Sequence, residues 1–303
     1  MNEKEIKFIS KNIHDDLSNK TIIITGGNSG IGFDSARIAA YLKMNIILAC
    51  RNKERGEASI KKIKEEFADV KITLMILDVS HEESIKNFVN EIITNHIDID
   101  VFYHNAGVYR LPFELVENRD IITQSNYFGP FILTSLLLPY LKSLSHEVKM
   151  VFTSSVATKW SNFKNDPLEA NPKVSRMTRY SNSKRLDAYL FKYLSDNDSE
   201  NVKYYLVHPG VARTALFGKA YKNKFFLTMV NGLMLIMANP SWKSALSIVL
   251  VLSENAVANS FYGPGGLFNF KGYPKENSFI NHYYTNVDET IVQTEKITGY
   301  KLL

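Results

Sequence analysis

The chain has 303 residues, 45% hydrophobic and 22% charged, close to the globular average, which excludes disordered, collagen-like and disulfide-scaffold classes. Its 36 basic and 31 acidic residues leave a formal charge of +5. That charge is scattered, as in Lys61, Lys62 and Lys64 beside Glu65 and Glu66, so no nucleic-acid partner is expected, while room is left for an anionic cofactor and for peripheral contact with an anionic membrane.

The single cysteine, Cys50, cannot form an internal disulfide, and a reducing cytoplasm is the expected compartment. No metal site is expected. The first twenty residues alternate charged with single apolar residues and have no apolar core, so neither a signal peptide nor an anchor is read there. The longest apolar stretch, 225–238, is 14 residues interrupted by Thr228 and Asn231, too short to span a bilayer.

Along the chain, short β-branched runs alternate with longer amphipathic stretches. Strands are predicted at 21–25, 45–50, 71–77, 101–104, 148–153 and 202–207. Helices are predicted at 31–43, 54–67 and 82–95, then in a long stretch towards Lys142, and at 181–196. Nearly unbroken apolar strands between helices predict an α/β fold: a doubly wound parallel sheet of the Rossmann type, covered on both faces. No Pro/Gly/Ser-rich linker interrupts it, so 1–303 reads as a single domain. The rhythm breaks at 159–179 and at 212–239, both after predicted strands, where open α/β sheets bind ligands.

The first strand runs into Thr25-Gly26-Gly27-Asn28-Ser29-Gly30-Ile31-Gly32 and then a helix. Glycines there let the backbone turn sharply and approach a pyrophosphate, while the helix N-terminus offers amides and partial positive charge, so Gly26, Asn28, Ser29, Gly30, Ile31 and Gly32 are read as cofactor-binding. The second strand ends in Ala49-Cys50-Arg51, and no acid stands there to take a ribose 2′-hydroxyl. Arg51 favours the 2′-phosphate of NADP(H), with NAD(H) as the alternative.

Of the 16 tyrosines only Tyr180 is followed four residues later by a lysine, in Tyr180-Ser181-Asn182-Ser183-Lys184. On a helix these two share a face, and an ammonium beside a phenol stabilises the phenolate, bringing an otherwise very weak acid, with a pKa near 10, towards use as a general acid/base. Ser154-Ser155 closes the fifth strand, where a hydroxyl can donate to a substrate oxygen on which negative charge develops. His208 ends a buried strand and is read as structural rather than as a base.

The glycine turn, Leu77-Asp78-Val79-Ser80 after strand three and Asn105-Ala106-Gly107 after strand four together resemble the short-chain dehydrogenases/reductases. Ala49-Cys50-Arg51-Asn52 with Gly56-Glu57 resembles their retinol-dehydrogenase-like branch in particular. The likeness covers roughly 20–211. It implies that Asp78 and Val79 contact adenine, that Asn105, leading Ala106 and Gly107, steadies the sheet beside the cofactor, and that Lys184 reaches the nicotinamide ribose. It also implies Ser155 as the catalytic serine, Asn126 as holder of a water in the proton relay, and Pro209, Gly210 and Thr214 beside the nicotinamide. The family's usual first Asn of Asn-Asn-Ala-Gly is His104 here.

The expected activity is hydride transfer between NADP(H) and a small carbonyl or alcohol substrate. Phe217, Phe225, Phe226, Leu227, Met229, Met234 and Met237 suggest a lid over an apolar substrate such as a retinoid, a steroid or an aldehyde, or else core or a dimer face. Tyr109, Trp160 and Phe163 are candidate pocket walls. The resemblance implies a homo-oligomer. A sugar-nucleotide epimerase or dehydratase and a non-catalytic dinucleotide sensor are the rival readings; the segment after Gly265 reads as a mobile tail that either covers the site or packs on the sheet.

Overall fold

The computed structural model describes residues 1–164, 166–198, 200–213 and 238–303. Its centre is an eight-stranded sheet. Strands β1 (Thr21–Thr25), β2 (Asn45–Cys50), β3 (Ile72–Ile76), β4 (Val101–His104), β7 (Val148–Thr153), β8 (Val202–Val207) and β11 (Phe261–Pro264) pair in parallel, and β12 (Pro274–Glu276) adds an antiparallel edge. The order β12-β11-β8-β7-β4-β1-β2-β3 reverses direction between β1 and β4, and at such a switch point the carboxyl ends of the strands open a crevice.

Alternation along the strands explains why both faces are covered. Ile23 of β1, Phe102 of β4 and Phe152 of β7 enter one apolar cluster, whereas Ile22, Ile24, Val101, Tyr103 and Val151 enter the other. Each fully buried Ile contributes about 1.5–3 kcal/mol relative to exposure, and helices on both sides are needed to exclude water from both sets. Helices α2 (Gly30–Tyr41) and α3 (Lys53–Glu66) belong to one side, and α4 (Glu82–Thr94), α6 (Gly129–Ser143) and α7 (Arg176–Asn197) to the other.

Several boundaries differ from expectation. The N-terminal stretch holds α1 (Glu3–Asn12), fixed by a capping box in which Asn2 accepts from the Glu5 amide and Glu5 from the Asn2 amide. The long helical stretch towards Lys142 is interrupted: a hairpin of β5 (Leu115–Val116) and β6 (Arg119–Asp120) leads into the short helix α5 (Ile121–Thr123) and a π-helical turn, Gln124–Phe128, before α6 starts at Gly129 with Pro130 in its first turn. Helix α7 starts at Arg176, five residues before the expected position, because Ser175 caps it by accepting from the Thr178 amide.

The segment after Gly265 is not a loose tail. It supplies β12 and a C-terminal helix, Val287–Thr298, which packs against α7, buries Ile291 and joins Thr294 Oγ1 to the Tyr127 hydroxyl at 2.8 Å. The short strands β9 (Ala212–Arg213) and β10 (Asn239–Pro240) pair in parallel across the lid segment expected at 212–239. Thr214, Phe217, Phe225, Phe226, Leu227, Met229, Met234 and Met237 lie outside the described residues. Among the described residues no helix is long and apolar enough to cross a membrane.

Candidate active site

At the carboxyl end of β1 the glycine turn is built so tightly that side chains are excluded. Gly26 has φ +66°, and a Cβ there would lie 2.9 Å from the Ala106 backbone; a Cβ on Gly32 would approach the Gly26 carbonyl to 2.6 Å. Gly30 also has positive φ. Ser29 stands at the N-cap of α2 without a side-chain cap bond, whereas Asn52 and Ser175 cap α3 and α7. The first amides of α2, including those of Ile31 and Gly32, therefore face the crevice with no partner from the helix itself. A pyrophosphate fits that cradle. Asn28 bounds it on the β2 side, its carbonyl accepting from Ser59 Oγ at 2.9 Å.

Thr25 and Asn105 join the ends of β1 and β4. Asn105 Nδ2 donates to the Thr25 carbonyl at 2.9 Å, and Thr25 Oγ1 accepts from the Asn105 and Ala106 amides at 3.0 and 2.9 Å. Asp78 is held by Ser80, whose amide and hydroxyl both donate to Oδ1, at 2.9 and 2.6 Å. Val79 is buried, and its carbonyl lies where a Cβ on Gly129 would come within 1.8 Å, so only glycine lets α6 pass. Arg51 is exposed at the end of β2 and, among the described residues, forms no ion pair.

His104, the departure from the family pattern, is a core residue. It stacks on Phe152 with centroids 4.8 Å apart, and its Nε2 lies 3.2 Å from Thr134 Oγ1. Burial, aided by the nearby Lys184 charge, lowers its pKa to about 3, so it stays neutral.

The chemistry-bearing residues gather where β4, β7 and α7 meet. Ser154 Oγ donates to the Lys184 carbonyl at 3.1 Å, while Ser155 Oγ accepts from the Ala157 amide at 3.1 Å at the cap of a short 3₁₀ turn, Val156–Trp160. Lys184 Nζ donates to the Thr153 carbonyl and to Asp187 Oδ2, both at 2.8 Å. Asn126 sits in the π-helical turn, a feature frequent at functional sites. Its Nδ2 donates to Ser183 Oγ at 2.9 Å and to the Val108 carbonyl at 3.0 Å, and its Oδ1 accepts from the Val108 amide at 2.7 Å. A Cβ on Gly107 would stand 3.0 Å from Asn126 Oδ1 and 3.7 Å from Lys184 Nζ, which places these three residues around one point. Tyr180, half-buried and one turn before Lys184, meets the Tyr109 ring edge-on at 4.7 Å.

Among the other expected residues, His208 is fully buried, its Nδ1 accepts from the Gly210 amide at 3.0 Å, and burial lowers its pKa to about 3. Gly210 has φ +74°, and a Cβ there would meet the Phe270 carbonyl at 2.4 Å, so Pro209 and Gly210 form a turn that only glycine closes. Trp160 is half exposed and faces Phe270 at 6.1 Å. Phe163 is turned towards α7, 4.2 Å beneath the Arg185 guanidinium and edge-on to Tyr189.

Two partners of the site were not singled out from sequence. Asp187 follows Lys184 by three, a spacing that puts both on one helix face and was open to reading. The buried pair of Arg179 with Asp120 ties the start of α7 to the β5–β6 hairpin across 59 residues, and no local pattern announces it.

The family model for short chain dehydrogenase matches residues 20–224. A dehydrogenase/reductase SDR family member 13 from Bos taurus is 32% identical over 210 residues, covering 66% of this chain and 54% of that protein. Human retinol dehydrogenase 13 is 35% identical over 203 residues, 66% of this chain and 61% of that one. The match thus spans little more than half the length of these relatives. A short chain dehydrogenase from Escherichia coli CFT073, complexed with NADPH, superposes with a TM-score of 0.55 over 69% of this chain and 84% of that one, at 26% identity. With the sheet order, the glycine turn and the Tyr180–Lys184 helix arranged as they are, these likenesses make the chain a member of the short-chain dehydrogenase/reductase family, in its retinol-dehydrogenase-like branch.

Proposed function

We propose that this chain is an oxidoreductase that transfers a hydride between NADP(H) and the carbonyl or alcohol carbon of an apolar substrate. The observation that carries the reading is the convergence of Gly107, Asn126 and Lys184 on one point, with Lys184 on the helix that carries Tyr180 one turn earlier. The bound nicotinamide supplies or accepts the hydride.

The chain's own residues handle the proton and the charge. Tyr180 gives its hydroxyl proton to the substrate oxygen in reduction and takes it back in oxidation. Lys184, held by the Thr153 carbonyl, keeps a positive charge near the phenol and offers its remaining N–H towards the crevice. Ser155 accepts from the Ala157 amide, so its own proton is available to the oxyanion; Ser154 spends its proton on the Lys184 carbonyl, which supports Ser155 as the catalytic member of the pair. Asn126 ties the π-helical turn to α7 and to the strand-four loop, holding the parts in register.

The preference for NADP(H) is supported by Arg51, exposed at the end of β2 with no carboxylate beside it among the described residues. The substrate's apolar character rests on Tyr109 beside Tyr180 and on the apolar composition of 225–238. A buried free thiol at Cys50 suits a reducing compartment, the cytoplasm. The test is NADPH oxidation by the purified protein against apolar aldehydes and ketones, alongside Tyr180→Phe. Turnover that vanishes in the variant while NADPH still binds is the expected result, and full turnover in the variant overturns the assignment.

A further inference from the structure

The Lys184 ammonium is shared between two acceptors inside the protein. One is the Thr153 carbonyl, which any residue at 153 would present. The other is the Asp187 carboxylate, 2.8 Å away on the same helix face, with the Lys184 and Asp187 side chains 7% and 5% exposed. A lysine has three N–H donors, so these two bonds leave one, and they fix where it points.

We propose that Asp187 is a positioning residue for the reaction, orienting the Lys184 ammonium and offsetting its charge, so that the pull of Lys184 on the Tyr180 hydroxyl is set one helical turn beyond the lysine. The inference rests on the oxidoreductase reading of the site. Burial pushes the Asp187 carboxyl up to about 6 against the opposing pull of Lys184, whose ammonium lies 2.8 Å away. His104 on β4 is neutral, and the Tyr127 phenol, buried and bonded to Thr294, is driven well above the ordinary tyrosine range. Beside Tyr180 stands Tyr109, with the Arg110 guanidinium 5.8 Å from the Tyr109 ring centre. Among the described residues the carboxylate that pairs with Lys184 is Asp187.

The isosteric Asp187→Asn keeps an oxygen that can accept from Nζ and removes the charge, whereas Asp187→Ala removes both. Each is made in the full chain, and folding is checked by circular dichroism. The first readout needs no turnover: the alkaline ultraviolet change belonging to Tyr180, isolated by subtracting the same variant carrying Tyr180→Phe. In Asp187→Asn this change moves to lower pH by about one unit, since an ammonium without its counter-charge favours the phenolate more strongly. NADPH affinity stays near wild type in Asp187→Asn and falls about tenfold in Asp187→Ala, where the ammonium is no longer oriented. In a Lys184→Met background neither Asp187 substitution moves the Tyr180 signal.

An unshifted Tyr180 titration in Asp187→Asn, or an equal shift in the Lys184→Met background, overturns the proposal. If Asp187→Asn does not fold, the infrared carboxyl band of the wild type is compared with that of Lys184→Met: protonation of Asp187 at higher pH in Lys184→Met supports the coupling, and an unchanged band overturns it. Absence of turnover on every carbonyl tested, with the Tyr180 shift present, would count against the oxidoreductase reading and leave the Asp187 coupling standing.

Discussion

Ser154 and Lys184, 30 residues apart in sequence, are joined by a buried hydrogen bond of 3.1 Å from the serine hydroxyl to the lysine carbonyl. That bond fixes α7 to the end of β7 and leaves Ser155 as the hydroxyl with a proton to give. The two serines should therefore fail differently. Ser155→Ala is expected to lower kcat about 10²–10³-fold, and to cost on the order of 1 kcal/mol of stability through the lost bond from the Ala157 amide. Ser154→Ala is expected to cost about 1 kcal/mol of stability and to leave most of the turnover in place. Steady-state kinetics and thermal melts on both variants make the comparison, and reversed roles would move the oxyanion contact to Ser154.

Tyr180→Phe keeps the ring that meets Tyr109 edge-on and removes only the hydroxyl. Loss of a general acid/base predicts a fall in kcat of about 10²–10⁴-fold with NADPH-induced stabilisation in the melt unchanged. Retained turnover would remove Tyr180 from the proton path.

Arg51 is exposed and free of ion pairs among the described residues, so its replacement leaves no buried charge stranded. Arg51→Ala is expected to raise the Kd for NADPH about tenfold, as one charge-assisted contact to a 2′-phosphate is lost, and to leave the Kd for NADH unchanged. Equal effects on the two cofactors in a binding titration would show that Arg51 does not read the phosphate.

Away from the site, Glu66 is held by the Arg37 guanidinium, which lowers its pKa to about 2. Its folded value lies below the ordinary glutamate value near 4.3, so it contributes stability that is present above about pH 4.5 and is lost as pH falls towards 2. Because the Glu66 carboxylate is partly open to solvent, the contribution is expected to stay below about 1 kcal/mol. Glu66→Gln should flatten the stability profile in that window, costing up to that contribution at pH 7 and nothing near pH 2, as read by chemical denaturation; equal stability of the two proteins at pH 7 with a difference near pH 2 would contradict the assignment.

The sheet was legible because a strand buried on both faces must be apolar along its whole length, as Ile22, Ile23 and Ile24 are, and because glycine is forced where the backbone folds onto itself at Gly26 and Gly32. The Tyr180–Lys184 pair was legible because helical spacing is local. What escaped depends on partners distant in sequence. The interruption before α6 is marked locally only by Gly129-Pro130; it is held by Asn126 reaching Ser183, and by Arg179 reaching Asp120. The C-terminal segment looks polar because its helix is covered on one side only, through Ile291 and Thr294 against α7 and Tyr127.

The central claim is tested most directly by titrating the purified protein with NADPH and NADH and then following NADPH oxidation across a panel of apolar aldehydes and ketones. The account predicts tighter binding of NADPH than of NADH, with turnover on at least one carbonyl that disappears in Tyr180→Phe. Failure to bind either dinucleotide would contradict it from the glycine turn onward.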